Sequence, residues 1–160
     1  MPLHSDPAES GGLRYYYRNW RPTRFGRIII RCWAWLAGRG LAPEIVLSLQ
    51  TKDWRSGVLT ERPLVPCDYD GQQNLVSMLG DGSAWVQDVR ASGGAAVIKR
   101  VESRHVRLVD VPPGNRAPIL KAWCQIATSG RRHIPVPYDA PVADFEAIAA
   151  QYPIFRIDPA

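Results

Sequence analysis

Residues 44–76, EIVLSLQTKDWRSGVLTERPLVPCDYDGQQNLV, decide how this chain reads. Residues 44–50 are rich in Ile, Val and Leu and predict a strand. Residues 60–67 predict a second. Pro63 and Pro66 remove ladder donors from it, which confines it to an edge or a bulge. Within residues 69–73, Asp70-Gly71 is a hairpin-turn signal, and residues 74–79 predict a third strand. The connections are short and polar, so the three strands predict an antiparallel meander.

Between the first two strands lies TKDWRSGVLT, residues 51–60. It reads in two ways. One is a solvated hairpin tip. The other is a cradle for an anion, with Lys52, Arg55, Ser56, the backbone around Gly57, Thr60 and Arg62 supplying donors. Guanidinium forks and backbone N–H groups suit phosphate or carboxylate oxygens, and glycine permits close approach of the backbone. A second polar segment, residues 77–83, would line the same cavity in a barrel.

The rest of the chain extends this pattern. Residues 1–13 are small and polar and predict a disordered tail. Residues 14–40 form an aromatic and basic segment with an amphipathic helix over 22–37, Pro22 sitting in its first turn. At about 100° per residue, Phe25, Ile29, Cys32, Trp33 and Leu36 share one side and Arg21, Arg24, Arg27 and Arg31 the other. Residues 41–160 carry the remaining elements. Ser83 starts a helix with Trp85, Val86 and Val89 as its apolar stripe. Residues 95–100 and 105–111 predict strands, Asn115 starts a helix to about Ala127, and Pro141 opens another through Gln151. Residues 152–157 predict a last strand. The sum is mainly β with flanking helices, an α+β chain for which barrel closure would remove free sheet edges.

The chain has 160 residues, 46% hydrophobic and 22% charged, an ordinary globular balance. Its formal charge of +5 and pI near 9.4 favour anionic partners, with Arg14 to Arg39 concentrated in the first quarter. The three cysteines, Cys32, Cys67 and Cys124, are far apart and form no CxxC pair, which suits reduced thiols in a cytoplasmic protein. His4, His105 and His133 are scattered, so no metal site is predicted. GxSxG, GxGxxG and P-loop patterns are absent, and ASGGAAV follows a helix rather than preceding one. No nucleic-acid-binding motif accompanies the basic N-terminus.

In order, WRSGVLTERPLV (54–65), LVSMLGDGSAWVQDVRASGGAAVIKR (75–100), VRLVDVPPGNRAPILKAW (106–123) and YPIFRI (152–157) resemble the deazaflavin (F420)-dependent nitroreductase, or F420H2-dependent quinone reductase, family. The resemblance spans about Arg14 to Ile157. It implies a split β-barrel of the FMN-binding type that binds coenzyme F420 and passes a hydride to a quinone- or nitroaromatic-like acceptor. It implies that Arg55, Ser56, Gly57, Pro63 and Leu64 match the segment gripping the coenzyme's anionic tail. Lys52 precedes that segment, and Thr60 and Arg62 lie within it. The backbone of Pro63, Leu64 and Val65, with Val76 and Ser77, would border the ring, Met78 being a further coenzyme contact, and Ser77 would hydrogen-bond the acceptor oxygen. Trp85 and Asp88 fall on the helix that follows, and Tyr15 to Tyr17 with Trp20 would form a lid. It also implies a monomer or homodimer, with the basic helix offering peripheral contact to an anionic inner membrane face.

The chain departs from the family pattern at defined places. Asp53-Trp54 replaces Gly-Arg, Thr60 stands where arginine is usual, Ala84 replaces Asn, and Gln87-Asp88 replaces Arg-Asn. These changes remove cations and add carboxylates around an expected polyanion. They leave open a non-catalytic split-barrel protein that binds a lipid, a tetrapyrrole or another ligand.

Overall fold

The computed structural model describes residues 17–18, 21–22, 28–29, 31–32, 35 and 46–160. The expected tail, the lid and most of the basic helix lie outside the described residues. Two short strands, β1 (Tyr17–Arg18) and β2 (Arg21–Pro22), pair antiparallel, Tyr17 opposite Pro22. Pro22 therefore ends a ladder, where its missing N–H costs nothing, and does not sit in a helix's first turn. Ile28, Ile29, Arg31, Cys32 and Trp35 are helical.

Seven strands follow: β3 (Leu47–Lys52), β4 (Leu59–Leu64), β5 (Pro66–Tyr69), β6 (Gln72–Val76), β7 (Ala95–Lys99), β8 (Ser103–Asp110) and β9 (Ile154–Pro159). They form one sheet in the order β4-β3-β7-β8-β9-β6-β5, every pairing antiparallel. The expected meander is thus half right. The predicted second strand breaks at Val65 into β4 and β5, which occupy opposite edges. Pro63 pairs with Ser48 and Pro66 with Leu75. Proline has no N–H to donate, so each sits on an edge strand with a partner on one side only, and Pro66 restricts Val65 to extended backbone. Since one residue joins the two edges, they lie within about 7 Å along the chain. The sheet must curl almost onto itself, giving a half-barrel. The Asp70-Gly71 signal holds: Asp70 (φ 50°) and Gly71 (φ 71°) make the left-handed turn between β5 and β6.

Within residues 46–160, three α-helices fill the corners: α1 (Ala84–Ala91), α2 (Arg116–Ile126) and α3 (Val142–Glu146). The predicted helix through Gln151 stops early and continues as a 3₁₀ turn, Ala149–Gln151. There Ile148 and Gln151 N–H groups donate to Phe145 and Ile148 carbonyls three residues back.

Strand alternation puts Leu75 and Phe155 on one face of the sheet and Val76 and Ile154 on the other. The first face packs against Trp85, Val86 and Val89 of α1, so the expected apolar stripe plugs the barrel. Trp85 meets Phe155 edge to face, centroids 5.4 Å apart. The second face packs against Leu120, Trp123 and Cys124 of α2 and Phe145 of α3. The turn after α1 requires glycine at position 94: φ is +92°, and a Cβ would meet the Leu108 carbonyl oxygen at 2.5 Å. Arg116, 5% exposed, fastens α2 by donating to Val111 O (2.7 Å), Ala150 O (3.2 Å) and Asp110 Oδ1 (2.9 Å).

Candidate ligand site at the β3–β4 hairpin

Lys52 opposite Leu59 closes the β3–β4 ladder, and residues 53–58 form its tip. Asp53 N–H donates to Val58 O (2.9 Å), and Gly57 N–H returns to Asp53 O (2.8 Å), with Gly57 at φ +71°. Inside this turn the Asp53 side chain folds back. Its Oδ1 accepts from Arg55 N–H (3.1 Å), Ser56 N–H (2.7 Å) and Ser56 Oγ (2.8 Å). The Ser56 bonds, with the Arg55 amide and the Arg62 charge adding less, hold the Asp53 carboxyl below its ordinary range. The donors expected for an external anion therefore face the chain's own carboxylate.

Thr60 and Arg62 alternate along β4 and share the face toward α1, with Thr51 directly opposite Thr60. There Asp88 of α1, fully buried, gathers the group. Its Oδ2 accepts from Thr51 Oγ1 (3.0 Å) and Arg62 Nη1 (3.4 Å), and its Oδ1 from Trp54 N–H (3.2 Å). Arg62 Nη1 also donates to Thr60 Oγ1 (2.9 Å) and Thr51 Oγ1 (3.2 Å). A buried carboxylate is tolerated when a cation and several donors surround it, and this one has both. On the other face of β4, Glu61 accepts from Gln50 Nε2 (2.8 Å) and pairs with Lys99.

The expected ring neighbours divide. Pro63, Leu64, Val65 and Met78 are half-buried at the joint between the two sheet edges. Trp123 Nε1 donates to Val65 O (3.0 Å), so α2 fixes this joint. Val76, Ser77 and Trp85 are interior instead. Ser77 Oγ donates to Gly80 O (2.8 Å) and lies 2.7 Å from Ser83 Oγ. A hydroxyl has one proton, so Ser83 is the donor in that second bond, and Ser77 has none left for an acceptor oxygen. The same bond draws the Ser83 hydroxyl away from capping α1, and no side-chain cap forms there. Arg90 is likewise engaged, by Asp81 (2.7 Å) and Asp110 (3.1 Å).

The residues assigned by resemblance to an anionic tail do not fit one as they stand. Arg62 serves Asp88, Thr60 is tied to Arg62 and Thr51, and Ser56 and the Arg55 amide serve Asp53. Lys52 and the Arg55 guanidinium remain on the exposed tip, the latter 4.6 Å over the Trp54 ring. Thr51, the Trp54 amide and Trp123 are partners that sequence reading missed. Thr51 alone had a signal, its hairpin register opposite Thr60.

No family model matches the chain, and neither does any curated protein. Solved structures do. A domain-swapped dimer superposes at TM-score 0.52 with 14% identity, over 82% of this chain and 92% of that one. An F420-H2 dependent reductase (FDR-A) gives 0.44 and 17%, over 72% and 95%. An FAD-binding protein from Mesorhizobium loti gives 0.47 and 16%, over 79% and 89%. At such identities the likeness concerns the fold. The chain has the split-barrel fold that FMN-binding proteins share.

Proposed function

We propose that this chain is an oxidoreductase of the deazaflavin-dependent type, passing a hydride from reduced F420 to a quinone- or nitroaromatic-like acceptor. The order of motifs from Trp54 to Ile157 on a split-barrel frame carries this reading. When bound, the deazaflavin supplies the hydride chemistry, and the protein's part is to position the ring and exclude water. Pro63, Leu64, Val65 and Met78 are the half-buried border for that ring, with the Val65 carbonyl held by Trp123. The reading includes a homodimer, because one solved structure similar to this chain is a domain-swapped dimer. Peripheral contact of the arginine-rich segment with an anionic membrane is a further part of it. No helix among the described residues is long and apolar enough to cross a membrane. Flotation with anionic liposomes at low and high salt tests that part, and failure to float at low salt rejects it.

A second reading is favoured by Asp53 and Asp88: a non-catalytic split-barrel protein that binds a lipid, a tetrapyrrole or another ligand. Titration with F420, followed by tryptophan fluorescence with FMN as control, separates the two. The enzyme reading expects saturable quenching at on the order of tens of micromolar, about 6 kcal/mol of binding. A flat titration rejects it.

A further inference from the structure

We infer that the β3–β4 cradle is filled from within: Asp53 and Asp88 occupy the donors that an anionic tail would use, and the ligand accepted here is a flat ring bound without a phosphate or carboxylate tail at this hairpin. The statement about the ligand rests on the ring-binding reading above. The statement about the cradle rests on hydrogen bonds alone.

Two carboxylates act at different depths. At the tip, the Arg55 amide, the Ser56 amide and the Ser56 hydroxyl converge on one oxygen of Asp53, at 2.7 to 3.1 Å. Successive amides aimed at one point make an anion-binding concavity. Here the anion is covalently attached. An incoming phosphate would have to displace Asp53 and then lie beside its negative charge. The main chain holds Asp53 in place at both ends, through Val58 O and Gly57 N–H.

Beneath the tip, Asp88 does the same to the next set of donors. Arg62 points its Nη1 at Asp88 Oδ2, Thr51 donates to the same oxygen, and the Trp54 amide donates to the other. Asp88 comes from α1, 37 positions after Thr51, so this layer closes only when the helix docks on the hairpin. The Trp54 amide also links the layers, since it follows Asp53 directly. Among the described hairpin residues, what remains for an external anion is Lys52 and the Arg55 side chain, long and exposed, whose attraction is weak and screened by salt, and the part of the Arg62 guanidinium not turned to Asp88.

The test uses the full-length protein labelled with nitrogen-15 and inorganic pyrophosphate as the probe. In the wild type, the Arg55 and Ser56 amide resonances are expected to stay fixed through millimolar pyrophosphate. In Asp53→Ala they are expected to move saturably. In Asp53→Asn, which keeps an oxygen acceptor in the nest, they are expected to stay fixed. Saturable movement in the wild type overturns the inference, as does an Asp53→Ala protein no more responsive than the wild type. The wild-type arm decides even if a variant fails to fold.

A second arm compares F420 with its tail-less deazaflavin chromophore. Affinities within about threefold of each other are expected. A preference for F420 of about tenfold or more, 1.4 kcal/mol, overturns the ligand statement. If neither binds, the ring-binding reading and the ligand statement fall together, while the pyrophosphate arm still decides the cradle.

Discussion

Arg62 Nη1 lies 3.4 Å from Asp88 Oδ2, which joins an edge strand of the half-barrel to the helix that plugs it. The arginine side chain is 19% exposed and the carboxylate 0%, so loss of the arginine strands a buried acid. Arg62→Ala is expected to destabilise the fold by about 3 kcal/mol, read from the urea midpoint. Asp88→Asn, which keeps an oxygen acceptor, should cost less. If Arg62→Ala leaves the midpoint where it was, the contact is incidental to the fold.

The Asp53 nest gives the tip an acid limit. The folded carboxyl titrates below its ordinary 3.8, because Ser56 and Arg55 donate to its charged form. A depressed acid contributes stability that is fully present above 3.8 and disappears as pH falls through the lower folded value. The Ser56 amide shift, followed from pH 6 downward, should therefore have its midpoint below 3.8. A midpoint at or above that value would mean that the nest does not hold the carboxylate.

Gly94→Ala places a methyl group at 2.5 Å from the Leu108 carbonyl oxygen, on backbone with φ +92°. Leu108 N–H donates to Gly94 O (2.8 Å), so β8 cannot retreat without losing that bond. Strain and overpacking together are expected to cost about 3 kcal/mol. Gly93→Ala has open space around its Cβ and meets only the φ penalty at +64°, so it should cost less. Equal midpoints for the two variants in urea would refute the steric account.

Burial raises both the Cys67 and the Cys124 thiol to about 11, whereas Cys32 is exposed. At pH 8 iodoacetamide should modify Cys32 rapidly and the other two only after denaturation. The raised values also set an alkaline limit. The unfolded chain ionises these thiols near 9.0, so stability should fall as pH rises from 9.0 toward about 11. Rapid native labelling of Cys67 or Cys124 would contradict their enclosure.

Trp123→Phe removes the donor to the Val65 carbonyl at the point where the two sheet edges meet. A loss of about 1–2 kcal/mol is expected from one unsatisfied half-buried acceptor. Hydrogen exchange should quicken in β5 before it does in β7. Uniform loosening across the sheet would argue that the bond has no special place at the joint.

Much of this was readable from local pattern. Asp70-Gly71 had to turn, because few other pairs accept two successive left-handed residues. The Trp85, Val86 and Val89 spacing had to bury one helix face. Pro63 and Pro66 had to lie where a ladder donor is not needed. None of these inferences depends on anything more than a few residues away. Placing both prolines on one strand failed because sequence cannot say which partner each side of Val65 will find. Pro63 found Ser48, while Pro66 found Leu75. Ser77 was legible as a polar residue within the predicted third strand, though in the structure that strand ends one residue before it, at Val76. That its proton goes to Gly80 O follows from how the turn to α1 closes.

The sequence by itself determined the strand alternation, the turn, the plug helix and the presence of carboxylates among cations at positions 53 and 88. The tertiary structure decided what those carboxylates do. Backbone preference and side-chain alternation act over a few residues, so they are written in the order of amino acids. Satisfaction of a buried charge depends on which groups folding brings within about 3 Å, the range of a hydrogen bond. For Asp88 those groups are Thr51, Trp54 and Arg62, supplied by a hairpin that meets the helix only once the half-barrel has curled.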